Sequence, residues 1–167
     1  DSFGEQLRAT LENGSIDISQ LQQDSGASGM SVAIVEKVGQ YGAVIVSESN
    51  LRIDKRTITI SKDTGILLLQ NEVPSEINLF ASKQAKSLGA EVWLNAAPAR
   101  NLDHQLLMNV DVLIVNRVEA SFYRELLESS QYSHLTKILT LGADGLEIEE
   151  PNTEKQYYPD YKVNSQS

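Results

Sequence analysis

The chain has 167 residues, of which 41% are hydrophobic and 22% are charged, values that are ordinary for soluble domains. This length allows a sizeable core in one domain, and no run of residues is apolar enough for a transmembrane helix. A formal net charge of −9 disfavours nucleic-acid partners, and the absence of cysteine excludes disulfides and thiolate chemistry. Since the N-terminus also lacks the pattern of a secretory signal, we expect a cytoplasmic protein with no nucleic-acid and no membrane partner.

The N-terminal segment has the periodicity of an amphipathic helix. Phe3, Leu7 and Leu11 recur every fourth residue, and Asn13-Gly14 is a typical helix stop. We therefore predict a helix over residues 2–13, followed by a loop with a short strand within residues 16–25.

Two β-rich runs come next, residues 29–35 and 41–47. The first alternates between apolar and small residues, and Lys37-Val38-Gly39-Gln40 between the runs is a turn candidate. The pattern predicts an antiparallel hairpin over about residues 28–50.

From residue 65 onward, short apolar runs alternate with helical segments. The predicted strands are residues 66–69, 92–94, 112–115 and 137–140, and helices are predicted after Pro74 and over about residues 103–109 and 118–128. A strand every 20–25 residues or so, with helices between, is typical of parallel sheets, so we predict an α/β core over about residues 64–160. It ends in a hairpin of residues 146–149 and 155–158. Ligands of such sheets lie at the carboxyl ends of the strands.

Glu72 is the first candidate site residue at a strand end. It follows the predicted strand 66–69 and precedes Pro74, where the next helix begins. A carboxylate there can accept hydrogen bonds from sugar hydroxyls, whereas a negative charge at the start of a helix also stabilises that helix. The spacing alone leaves both interpretations open.

Asn116 and Glu119 form an Asn-x-x-Glu pattern after the strand 112–115. The pattern is that of a capping box at a helix start. Alternatively, Asn116 donates its amide to a phosphate and Glu119 holds a hydrated Mg²⁺ ion, which needs few protein carboxylates. Both interpretations use the same two positions.

Thr140, Gly142 and Gly145 follow the strand 137–140 in the segment Thr140-Leu141-Gly142-Ala143-Asp144-Gly145. A Gly-x-x-Gly turn is common between hairpin strands, and it also lets a planar ring approach the backbone. Neither a Gly-x-Gly-x-x-Gly loop nor a Walker-type loop occurs in the sequence.

Read in chain order, these segments resemble the ribokinase-like sugar kinases of the phosphofructokinase-B family. The similar segments are Asp1-Ser2-Phe3-Gly4, Gly14-Ser15-Ile16-Asp17, Ser28-Gly29-Met30-Ser31, Leu69-Gln70-Asn71-Glu72-Val73-Pro74, Leu94-Asn95-Ala96-Ala97-Pro98-Ala99-Arg100, Val115-Asn116-Arg117-Val118-Glu119-Ala120 and Thr140-Leu141-Gly142-Ala143-Asp144-Gly145. Seven segments in the family's order cover nearly the whole chain. A Rossmann-like domain of some other family would not be expected to show this series.

The resemblance implies a doubly wound parallel sheet with a small antiparallel hairpin lid, and phosphorylation of a sugar hydroxyl with ATP and Mg²⁺. Glu72 and the lid residues Met30 and Val32 would contact the sugar. Glu119 would bind the magnesium ion. The nucleotide would be bound by Asn116, Thr140, Gly142 and Gly145.

Two departures from the family pattern qualify this expectation. The family's Gly-Ala-Asn after the lid appears here as Glu48-Ser49-Asn50, and the Gly-Gly-x-x-x-Asn and Gly-Ala-Gly-Asp motifs do not occur in the sequence. The Gly-Ala-Gly-Asp motif carries the family's catalytic carboxylate, so we expect no catalytic base in this chain and interpret the chain as a central part of a longer kinase.

The alternative is a non-catalytic remnant that binds a nucleotide or a sugar. A homodimer formed through the lid is a further hypothesis, and the resemblance does not name the sugar.

Overall fold

A computed structural model describes residues 1–35 and 41–160 of the chain. The predicted turn Lys37-Val38-Gly39-Gln40 and the last residues of the chain, 161–167, lie outside the described residues. The chain divides into two compact units. One comprises Asp1–Thr59 and Glu72–Ile77, and the other comprises Ile60–Asn71 and the described residues from Asn78 onward. The predicted limits of the lid, 28–50, and of the α/β core, 64–160, stay predictions.

The first unit contains the predicted helix and hairpin. Helix α1 spans Ser2–Asn13, and strands β1 (Met30–Val35) and β2 (Tyr41–Val46) pair in antiparallel register. No strand forms within residues 16–25, so that part of the prediction is wrong. The Asp17 carboxylate accepts the Ser19 N–H at 2.8 Å, which stabilises a turn in place of extended backbone.

Aspartate side chains join distant segments of this unit. Asp1 caps α1 by accepting the Gly4 N–H at 2.8 Å, and its other oxygen accepts the Ser28 N–H at 2.7 Å at the base of β1. Asp24 accepts hydrogen bonds from Arg52 at 2.5 Å and from the Ser49 hydroxyl at 2.8 Å. The Asp24 contacts connect the segment before the hairpin to the segment after it.

The second unit is built on a six-stranded sheet with the strands in sequence order. The strands are β3 (Ile66–Gln70), β4 (Glu91–Asn95), β5 (Val112–Asn116), β6 (Thr136–Thr140), β7 (Leu146–Glu149) and β8 (Gln156–Tyr158). The first four are parallel, and β7 and β8 continue the sheet antiparallel. The predicted α/β class and the parallel core are therefore confirmed.

Four helices follow the strands in the predicted order within the described residues from 60 onward. They are α2 (Ser75–Ser87), which begins in the first unit, α3 (His104–Leu107), α4 (Arg117–Phe122) and α5 (Arg124–Glu128). The single helix predicted over residues 118–128 is interrupted at Tyr123, which has φ −92° and ψ 16°.

Most of the core of the second unit lies on one face of the sheet. Val92, Leu94 and Leu113 are fully buried there, and Leu106 and Leu107 of the helix after β4 are buried as well. On the other face, Leu68 is 66% exposed although its register partner Trp93 is half-buried. The two faces of the sheet are thus unequally covered within the described chain.

Candidate functional site

Two of the predicted nucleotide residues lie side by side at the carboxyl end of the sheet. Asn116 ends β5 and Thr140 ends β6, and the two are register partners. The Thr140 hydroxyl lies 3.4 Å from the Val115 carbonyl oxygen, to which it donates. Parallel pairing thus brings together two side chains that are far apart in sequence, at the edge where α/β sheets bind ligands.

Glu119 lies in the first turn of α4 and is held by Asn116. The Asn116 backbone N–H donates to Glu119 Oε2 at 2.7 Å, and the Asn116 amide nitrogen donates to Oε1 at 2.9 Å. In return, Asn116 Oδ1 accepts the N–H groups of Val118 and Glu119 at 2.9 and 3.0 Å. The capping box considered from the sequence is therefore formed, and it fixes a carboxylate that is only 7% exposed.

The capping box leaves these side chains capacity for a ligand. The Asn116 amide nitrogen carries two protons, and one of them is donated in the hydrogen bond to Glu119. Each Glu119 carboxylate oxygen has a second lone pair beyond the hydrogen bond that it accepts from Asn116. Capping and ligand binding are thus compatible at this site.

The turn after β6 uses its two glycines for different reasons. Gly142 has φ +64° with open space where a Cβ would lie, whereas a Cβ on Gly145, at φ +91°, would collide with the Tyr158 carbonyl oxygen. The turn is closed by the Leu141 N–H, which donates to the Gly145 carbonyl at 2.8 Å. Gly145 is therefore required by the close approach of β8.

An ion pair that the sequence analysis did not identify links this turn to α4. Arg117 Nη2 lies 2.5 Å from Asp144 Oδ2 and 3.5 Å from the Leu141 carbonyl oxygen. Both charged side chains are largely exposed, so the pair contributes little to stability. It brings a guanidinium to the strand ends that carry Asn116 and Thr140.

The donor set for a metal is small. Within residues 1–35 and 41–160, no three His, Cys, Asp or Glu side chains are grouped closely enough to hold an ion. Glu119 is a buried carboxylate at the strand ends, held through both of its oxygens. A single carboxylate fits Mg²⁺ that keeps most of its water ligands.

The predicted sugar residues lie in the first unit. Met30 and Val32 share one face of the hairpin with their partners Val46 and Val44, and they are 43% and 49% exposed. Glu72 is half-buried in the turn before α2.

Glu48, which replaces a glycine of the family pattern, has a positive φ of 39°. That conformation is unfavourable for a residue with a Cβ, and it explains why glycine suits the position. Its carboxylate lies 3.8 Å from the Arg52 guanidinium, a contact between two exposed side chains.

A buried polar network around Tyr123 also escaped the sequence analysis. The Tyr123 hydroxyl accepts the Arg100 N–H at 2.9 Å and donates to the Arg100 carbonyl at 2.8 Å. The amide nitrogen of Asn71 lies 3.4 Å from the same hydroxyl. Burial raises the pKa of Tyr123, so the hydroxyl keeps its proton at neutral pH.

Comparison with known protein families gives one match that spans almost the whole chain. The model of the pfkB family carbohydrate kinases matches residues 1–166. The ribokinase of Haemophilus influenzae is 26% identical over 163 residues, which cover 87% of this chain and 53% of that protein. The chain thus spans about half the length of this relative.

Solved structures show the same fold. The ribokinase of Cryptococcus neoformans var. grubii, in complex with ADP, superposes with a TM-score of 0.81 at 23% identity, covering 96% of this chain and 60% of that one. The ribokinase of Arabidopsis thaliana, complexed with ribose and ATP, gives 0.64 at 20% identity, covering 81% and 49%. Among the described residues, no helix is both long and apolar enough to cross a membrane.

Proposed function

This chain belongs to the pfkB family of carbohydrate kinases, and from that membership we propose that the full-length protein transfers the terminal phosphoryl group of ATP to a sugar hydroxyl. The observation that carries the proposal is the pairing of Asn116 with Thr140 at the strand ends, beside the fixed carboxylate of Glu119. The ADP and ATP complexes of the two ribokinases of the same fold support ATP as the phosphoryl donor.

We assign the nucleotide to the second unit. Asn116 donates its remaining amide N–H to the phosphates, and the Thr140 hydroxyl forms a hydrogen bond to the nucleotide from the neighbouring strand. Gly142 leaves open space above the turn, so a planar base can lie against the backbone there. Gly145 holds the turn closed against β8.

We assign Mg²⁺ to Glu119, through water. When bound, the ion would offset the negative charge of the phosphates, which a carboxylate alone would repel. The role of Glu119 is to orient the ion's water ligands, and Asn116 fixes the carboxylate for that task through both of its oxygens.

We assign the sugar to Glu72 and to the lid residues Met30 and Val32. The carboxylate can accept hydrogen bonds from two hydroxyls, and the apolar hairpin face can cover the ring and exclude water, which limits hydrolysis of ATP. Glu48 places a negative charge where the family pattern has none, and it therefore disfavours an anionic sugar.

The chemical step is a displacement at the terminal phosphorus. The sugar oxygen forms a bond to that phosphorus, the bond to the bridging oxygen of ADP breaks, and the hydroxyl proton passes to a general base. The family's base lies in a Gly-Ala-Gly-Asp motif that does not occur in these 167 residues. We therefore attribute turnover to the full-length protein and the binding contacts above to this chain.

We also propose that the lid forms a homodimer contact. Val44, Ile45 and Val46 of β2 are exposed together with Met30 and Val32 of β1, and an isolated two-stranded hairpin is marginally stable in water. Light scattering of the full-length protein should give the mass of a dimer, and Val44→Asp should shift it to a monomer. A monomeric wild-type protein would contradict the contact.

The test of the proposed activity is ADP release by the full-length protein with ATP, Mg²⁺ and a panel of pentoses and hexoses. We expect ADP formation that depends on one class of sugar and on Mg²⁺. A protein that binds ATP but releases no ADP with any sugar would contradict the proposal and favour the non-catalytic binding function.

A further inference from the structure

Tyr123 lies between α4 and α5 with only 4% of its surface exposed. Its N–H donates to the Glu119 carbonyl at 2.8 Å, so it stands one helical turn from the carboxylate that we assign to Mg²⁺. Its ring packs edge-on against Phe122, with the centroids 5.0 Å apart. Burying a phenol lowers stability unless its hydroxyl is hydrogen-bonded, so the partners of that hydroxyl fix the position of the Tyr123 side chain.

Those partners belong to the loop that follows β4. The hydroxyl lies 2.8 Å from the Arg100 carbonyl oxygen, 2.9 Å from the Arg100 N–H and 3.4 Å from the Ala96 carbonyl oxygen. One side chain therefore bridges both ends of residues 96–100. The sequence between these ends is too short to move independently once they are joined.

The loop in turn holds Asn71 by its backbone and by its side chain. The Asn71 N–H donates to the Ala97 carbonyl at 3.0 Å, and its amide nitrogen donates to the Pro98 carbonyl at 3.1 Å and towards Tyr123 at 3.4 Å. Asn71 is 3% exposed. Its Oδ1 has no hydrogen-bond partner among the described residues, so the orientation of the amide is set by the hydrogen bonds that Nδ2 donates to Pro98 and Tyr123.

Asn71 immediately precedes Glu72 in the chain. We propose that Tyr123 is a positioning residue for the sugar-binding carboxylate, acting through Asn71 and residues 96–100. The inference rests on the proposed function of Glu72 as a sugar ligand. Fixing the residue before Glu72 limits where that carboxylate can lie, and a displacement of about 1 Å is enough to lose an oriented hydrogen bond.

The test is steady-state kinetics of the full-length protein with Tyr123→Phe, which keeps the ring and removes only the hydroxyl. We expect the KM for the sugar to rise about fivefold or more, as for a lost hydrogen bond, while the KM for ATP changes by less than about twofold. The matched control is Tyr132→Phe, because among the described residues the Tyr132 hydroxyl is hydrogen-bonded to the exposed His104, at 3.2 Å from His104 Nδ1. This control should leave both constants unchanged.

A second variant separates positioning from general loss of structure. Asn71→Ala should raise the KM for the sugar by a similar factor, and the double variant should be no worse than the more affected single one, because both act through the same contact. The dissociation constant for ATP, measured directly by calorimetry, serves as the check that each variant is folded.

The outcomes are distinguishable from those of the proposed function. Wild-type protein that shows no sugar-dependent ADP release would overturn the function and this inference together. Active wild-type protein with an unchanged sugar KM in Tyr123→Phe would overturn the inference alone. Equal rises in both KM values, or fully additive effects in the double variant, would also overturn it, because they indicate a structural role only.

Discussion

The side chains of Asn116 and Glu119 hold each other at the start of α4, with the Asn116 N–H 2.7 Å from one carboxylate oxygen and its amide nitrogen 2.9 Å from the other. The two residues were predicted either to cap the helix or to serve a ligand. The geometry shows that one arrangement provides both the cap and a fixed carboxylate. Stability and activity should therefore respond differently to substitutions at these positions.

Glu119→Gln should separate the two roles. Glutamine keeps one acceptor oxygen for the capping box but loses the other hydrogen bond from Asn116, so the free energy of unfolding should fall by about 1–2 kcal/mol while the fold survives. Because the charge is lost, turnover of the full-length protein should fall at limiting Mg²⁺ and recover in part as Mg²⁺ is raised. Thermal unfolding and rates over a Mg²⁺ titration measure both effects, and unchanged rates at limiting Mg²⁺ would remove the metal role.

Gly145→Ala should destabilise the protein strongly. An added Cβ collides with the Tyr158 carbonyl oxygen and the residue is held at φ +91°, so we expect a loss of roughly 3 kcal/mol or more. The matched control is Gly142→Ala, where only the positive φ is unfavourable and the loss should be about 1 kcal/mol. Urea unfolding of both variants measures the difference. Equal losses would show that β8 does not constrain the turn.

Glu48→Gly should stabilise the first unit. Glycine relieves the positive φ of 39°, whereas the exposed contact with Arg52 that is lost is weak. Glu48→Ala loses the same contact and keeps the strain, so the glycine variant should be more stable than the alanine variant by about 1 kcal/mol. Thermal unfolding measures the stability of both variants. An alanine variant as stable as the glycine variant would show that the positive φ at this position is not strained.

The stability of the first unit should fall at acid pH. The hydrogen bond from Arg52 holds the pKa of Asp24 well below its usual range, and that from Arg56 lowers the pKa of Asp54 to about 2. Because both folded-state pKa values lie below the unfolded value of about 3.9, this stabilisation is present above pH 4 and is lost as the pH falls towards 2.

Unfolding midpoints measured between pH 6 and pH 2 test this dependence. Asp24→Asn should flatten the curve, because asparagine cannot titrate and forms no ion pair with Arg52. A variant with the same acid dependence as the wild type would show that other carboxylates determine it.

Much of the fold could be predicted because short apolar runs and turn residues are local signals. The strands 66–69 and 112–115 were each predicted to within one residue of β3 and β5. The break at Tyr123 was missed, because its hydroxyl is satisfied by Arg100 and Asn71, residues that no local pattern connects to it. The sequence likewise does not show which distant segments make such hydrogen bonds to one another.

The candidate site shows the same limit. The sequence identified Asn116 and Thr140 as separate strand-end residues, whereas their adjacency follows from the parallel register of β5 and β6. The ion pair between Arg117 and Asp144 depends on that same register, since it joins the start of α4, directly after β5, to the turn after β6. Long-range pairing, rather than composition or motif, determines which polar groups meet.

The most direct test of the assigned sites compares Glu72→Ala with Asn116→Ala in the full-length protein, with the KM for the sugar and the KM for ATP measured in each. Losing hydrogen bonds to a charged or oriented partner should raise the KM for the ligand concerned by about tenfold or more. We predict that Glu72→Ala raises the KM for the sugar and spares that for ATP, and that Asn116→Ala does the reverse. Rises of equal size in both constants for either variant would contradict the assignment of sugar and nucleotide to these residues.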